Sequence, residues 1–117
     1  MRHAVRGKKF GRKTGDRRQF MRVLLQNFIV EGSITTTSAR ARELKWRAEK
    51  LITLGKKQTL GSLRLLTSRL PVKAAMKVYH ELAPQFAARR GGYTRIEKLA
   101  THRKRDGADQ VRIQFVS

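Results

Sequence analysis

Apolar residues enter this chain late. Up to Gly15 they follow neither a helical nor an alternating period, and Gly7, Gly11 and Gly15 punctuate a run of cations. A stretch with nothing to bury predicts an extended basic arm over residues 1–15, reaching on the order of 50 Å when straight. From Phe20 the pattern turns helical: Phe20, Met21, Leu24, Leu25 and Phe28 share one face. That spacing predicts a helix over 16–31, with Asp16 as N-cap, Gln19 completing a capping box and Gly32 closing the end. The short β-branched run at 33–37 reads as a strand. Ser38 is the expected cap of a second helix over 39–55, striped by Ala41, Leu44, Ala48, Leu51 and Ile52, with Glu43 and Arg47 as an i,i+4 pair and Gly55 at its end.

A shorter helix is expected over 60–69. Pro71 suits the first turn of a last helix that presents Val72, Ala75, Met76, Tyr79 and Leu82 on one face and stops at Pro84. Residues 93–99 and 111–116 read as extended, with Val111, Ile113 and Phe115 alternating against polar neighbours. Asp106-Gly107 is a hairpin-type turn signal between them. The expected fold is therefore α+β in the order α-β-α-α-α-β-β, with helices packed on one small mixed sheet behind the arm. Residues 16–117 form its single domain.

Charge changes the picture most. The 28 Lys and Arg residues against 8 Asp and Glu give 117 residues a net charge of +20. Self-repulsion on that scale is relieved by a bound polyanion, and nucleic acid rewards contact through counterion release. A membrane is not the expected partner, because the apolar runs are too short to span and the opening residues lack a signal-peptide pattern. With no cysteine, disulfides and thiolate metal sites are excluded.

The cations gather in sequence. Arg2, Arg6, Lys8, Lys9, Arg12 and Lys13 lie on the arm, and Arg17, Arg18 and Arg22 continue onto the first helix. Arg89, Arg90 and Arg95 flank one loop, and Arg103, Lys104 and Arg105 occupy the last. Phe10 and Tyr93 stand among these charges; each suits either stacking on an unpaired base or packing within the domain, and for Tyr93 packing is the favoured reading. Trp46 falls opposite the second helix's apolar stripe, flanked at i±4 by Arg42 and Lys50, which suits a base-stacking or partner-docking aromatic on a basic face, or packing against another element of the domain. Nothing comparable supports catalysis. His3, His80 and His102 lack metal-ligand spacing, the eight acids form no general acid/base pair, and residues 7–12 only loosely resemble a phosphate loop. No metal, cofactor or small-molecule substrate is expected.

These residues resemble a known family, the bacterial-type protein seventeen of the large ribosomal subunit. Met1-Arg2-His3, Gly7, Gly11-Arg12 and the helix that follows match its start; Glu43-Leu44, Glu49 and Leu51-Ile52-Thr53-Leu54 match its second helix. The most specific segments are Glu81-Leu82-Ala83-Pro84 with Phe86, and Arg90-Gly91-Gly92-Tyr93-Thr94-Arg95-Ile96. Trp46-Arg47 departs from the family's pattern, as does the 101–110 loop. The resemblance implies a structural, non-catalytic protein embedded in large-subunit ribosomal RNA beside other large-subunit proteins, near the peptide tunnel exit. It adds His3 to the RNA-contacting arm, and it implies a cytoplasmic or organellar ribosome as location. On the residues alone, a general nucleic-acid architectural protein and an RNA-processing enzyme stay open.

Overall fold

The structure is a computed structural model, and it describes residues 14–102, 107 and 109–116. Helix α1 (Thr14–Glu31) buries Met21, Leu25, Phe28 and Ile29, with Phe20, Leu24 and Val30 packed at the margin. Its stripe is the one its spacing predicts, widened by Ile29 and Val30. Asp16 is not its N-cap: the helix already runs from Thr14, so Asp16 stands inside the first turn, where its charge complements the exposed N–H groups. The end is as expected. Gly32 takes φ +81° and its N–H donates to the Phe28 carbonyl at 2.7 Å, a left-handed closure that glycine adopts without strain.

Strand β1 (Ser33–Thr37) leads straight into helix α2 (Ser38–Gly55). The cap is Thr37 rather than Ser38, because Thr37 keeps extended backbone angles while its hydroxyl accepts from the Arg40 N–H. Ala41, Leu44, Ala48, Leu51 and Ile52 are all buried, so α2 is the central helix, lying against all three strands. Gly55 closes α2 in a confined place. A Cβ there would lie 3.2 Å from both Ala83 Cβ and Val78 Cγ1. Gln58 then takes φ +53°, held by its own side-chain amide donating to the Gly55 and Tyr79 carbonyls.

Helix α3 (Leu60–Arg69) opens on a reciprocal capping box between Thr59 and Ser62. Pro71 sits at the N-cap of α4 (Val72–Lys77), one position outside the first turn expected for it. The helix continues through a π-helical turn (Val78–Leu82) into α5 (Ala83–Gln85). Pro84 therefore does not stop it: the Ala83 N–H already bonds five residues back, to the Val78 carbonyl, and Pro84 falls at the start of a fresh turn that needs no donor from it. The buried face is Ala74, Ala75, Val78 and Leu82, about a quarter turn from the expected one. Val72 is 65% exposed. The small alanines let α4 approach its neighbours closely, whereas bulkier Val72 and Met76 are left at or outside the contact.

Strands β2 (Thr94–His102) and β3 (Asp109–Phe115) complete a sheet of order β1-β3-β2. Both pairings are antiparallel, so the sheet is not mixed. The β2–β3 hairpin sets the direction of β3, and β1 adds to its free edge in the alignment that gives perpendicular ladder bonds. Ile34, Ile113 and Ile96 line up across the three strands, and Phe115 stacks on Phe28 at 4.4 Å between ring centroids. Gly107 has φ +64°, as a turn there requires, while Asp106 lies outside the described residues.

Candidate nucleic-acid interface

The inner stripe of α2 leaves an outward row of Arg42, Trp46, Lys50 and Thr53, all exposed. Trp46 is 54% exposed, and Lys50 Nζ rests 3.9 Å from its ring centroid, with Arg47 Cζ at 6.0 Å. Between them these contacts settle the indole as an outward-facing aromatic held by cations, not a core residue. Glu43, one turn earlier, accepts from Arg47 Nε at 3.3 Å, so the expected i,i+4 pair forms.

Two adjoining clefts meet at this row. One, of about 450 Å³, runs between α1 and α2 past Arg18, Arg22 and Arg47 over a floor of Met21, Leu25 and Leu51. The other continues past Thr53 and Lys57 to the Gly91-Gly92 loop. Trp46, Lys50 and Arg69 line both. Among the described residues the ion pairs are Arg47–Glu43 and Arg95–Glu97; Arg18, Arg22, Lys50 and Arg69 are exposed and have none. A row of unneutralised cations along a groove with an apolar floor suits a linear polyanion.

The sequence candidates divide. Arg18 and Arg22 converge on the groove, while Arg17 is half-buried on α1 and lines neither cleft. Arg89 and Arg90 are exposed on the loop before β2, and Arg95 projects from β2 beside Glu97 at 2.9 Å. Tyr93 is not the stacking residue its basic neighbours suggest. Only 2% exposed, it packs on Phe86 at 5.3 Å, accepts from Lys56 Nζ at 3.0 Å and donates to the Arg89 carbonyl, so its ring is not offered to a base. Arg2, His3, Arg6, Lys8, Lys9, Phe10, Arg12, Lys13, Arg103, Lys104 and Arg105 lie outside the described residues. Arg47, Lys50, Lys57 and Arg69 join the groove without belonging to any of the basic clusters read from the sequence. The i,i+4 spacing of Arg42, Trp46 and Lys50 carries a signal for the middle of the groove, but Arg69 reaches it only by tertiary packing.

No group of three or more metal-ligating side chains occurs among the described residues, and no described helix is long and apolar enough to cross a membrane. The family model described as Ribosomal protein L17 matches residues 20–116. Large ribosomal subunit protein bL17 of a Sulfurihydrogenibium species is 44% identical over 117 residues, covering 99% of this chain and 97% of its own length. The protein of that name from Dehalococcoides mccartyi is 40% identical, covering 99% of each. That from Bdellovibrio bacteriovorus is 45% identical over 97% of this chain, which spans 63% of that longer relative. The chain belongs to the ribosomal protein L17 family.

Proposed function

We propose that this protein is a structural constituent of the large ribosomal subunit that binds ribosomal RNA, near the exit of the peptide tunnel and beside other large-subunit proteins. The family is a structural component of the ribosome, not an enzyme, and the relatives named above are bacterial, which supports a cytoplasmic ribosome as its place. The observation that carries RNA as the partner is the groove of exposed, unpaired Arg18, Arg22, Lys50 and Arg69 in a chain of net charge +20. Phosphates placed along it would relieve the repulsion among these four cations, which form no ion pair among the described residues. The leading cations Arg2, Arg6, Lys8, Lys9, Arg12 and Lys13, with His3 and Phe10, extend the same contact, as do Arg89, Arg90 and Arg103 to Arg105. The place near the tunnel exit rests on the family resemblance alone.

Co-sedimentation is the test. The protein should travel with large subunits through moderately high salt, and replacing Arg6, Lys8, Lys9 and Arg12 together with Gln should release it at lower salt. Each phosphate that the variant no longer touches flattens the dependence of log affinity on log salt by roughly 0.7–0.9. Redistribution of the intact protein to bulk DNA or RNA would instead identify a general nucleic-acid architectural protein.

A further inference from the structure

We infer that Trp46 is a stacking platform for one unpaired base of a single-stranded RNA segment whose flanking phosphates lie along Arg18, Arg22 and Arg69. This rests on the RNA-binding reading and adds to it the kind of RNA that this groove takes. The indole takes no part in the core cluster. It is 54% exposed on a helix whose opposite face fills the core, so it contributes little to the fold. Lys50 Nζ lies over one face of the ring, 3.9 Å from its centroid, and restrains the indole, while the residue as a whole stays open to solvent. A restrained, solvated aromatic plane loses little freedom when a base stacks on it.

The surroundings select the ligand. Beside the indole lies a cleft of about 450 Å³, within the size range of small-ligand sites and ample for one base. Its walls carry Arg18, Arg22 and Arg69, exposed and without ion pairs among the described residues, and its floor is apolar. Bases inside a duplex are already stacked on one another and cannot present a face to Trp46, so the segment is single-stranded. A run of Asp and Glu side chains would satisfy the cations but offers no ring to stack on the indole.

Trp46 is the chain's one tryptophan, so its emission reports on this groove alone. The full-length protein is titrated with a short single-stranded RNA, the same RNA carrying abasic sites, a duplex, and a polyglutamate of equal charge. Strong quenching is expected from the single strand and not from the other three. Trp46→Ala should weaken single-strand binding roughly 5- to 150-fold while leaving the salt slope unchanged, and Trp46→Phe should recover most of the loss. Unchanged helical circular dichroism confirms that both variants fold. Single-strand binding with a steep salt slope but silent Trp46 emission, or equal quenching by abasic RNA or polyglutamate, overturns the stacking role and leaves RNA binding in place. Failure to bind any RNA overturns both.

Discussion

The two faces of α2 are built by opposite rules. Inward, Ala41, Leu44, Ala48, Leu51 and Ile52 are buried, and the helix lies against α1, α3, the π-helical turn and the sheet. Outward, Arg42, Trp46 and Lys50 have the same helical spacing and stand exposed to solvent. Packing consumes the first set within the chain. The second set lies outside that packing, and on the proposed function it is where RNA would meet the chain. Substitutions should therefore lose their effect on stability, and gain effect on binding, as they move from the inner face to the outer.

The largest stability effect is expected at the centre of the inner face. Leu44 is wholly buried, and Leu44→Ala removes its packing and leaves a cavity, costing about 2–5 kcal/mol in chemical denaturation. A loss below about 1 kcal/mol would mean that α2 is not the helix on which the others are assembled. Gly55 marks the end of the same face. Its space is filled by Ala83 and Val78, so Gly55→Val should overpack it and cost about 1–3 kcal/mol. Gly91, with nothing within 4 Å of a Cβ, provides the control: Gly91→Ala should change stability far less.

Tyr93 stands where the two rules meet. Its ring belongs to the core, yet its hydroxyl accepts from the Lys56 ammonium and donates to the Arg89 carbonyl at the groove's edge. Tyr93→Phe keeps the ring and removes the hydroxyl, for an expected cost of about 0.5–1.5 kcal/mol by thermal denaturation. If Tyr93→Phe instead left stability intact and weakened RNA binding, the tyrosine would have to be reassigned to the outer face.

Much of this contrast is legible in the sequence, because stripes and alternation are local. The faces of α1 and α2 and the buried row of β3 follow from the spacing of Leu25, Phe28, Leu44, Leu51, Val111 and Ile113. Features decided by distant partners are not. The direction of β1 depends on pairing Ser33 with Gln114, at the far end of the chain. The face of α4 is only partly caught by a periodicity reading: Ala75 and Leu82 fall on the expected face, but Val72 and Met76 carry more hydrophobic signal than Ala74, whose small size suits close approach. That Tyr93 packs is the favoured sequence reading, but its partners Phe86 and Lys56 are set only by the fold. The groove is half visible: Arg18 and Arg22 stand out as a charge run, but only the fold sets Arg69 beside them.

The smallest stability effect, and the sharpest test of the contrast, belongs to the outer wall. Arg18, Arg22 and Arg69 are exposed and without ion pairs among the described residues, so replacing all three with Gln removes no packing and leaves no buried group unsatisfied. Stability should move by no more than about 0.5 kcal/mol, and upward if anything, since three repelling charges are gone. The same variant should flatten the salt slope for single-stranded RNA by roughly 2, at about 0.7 per phosphate contact. Both quantities are needed, a melting curve and a salt titration. A core-sized loss of stability would show that these arginines brace α1 and α3 against α2, and the division between a face that folds the chain and a face that meets its partner would not hold.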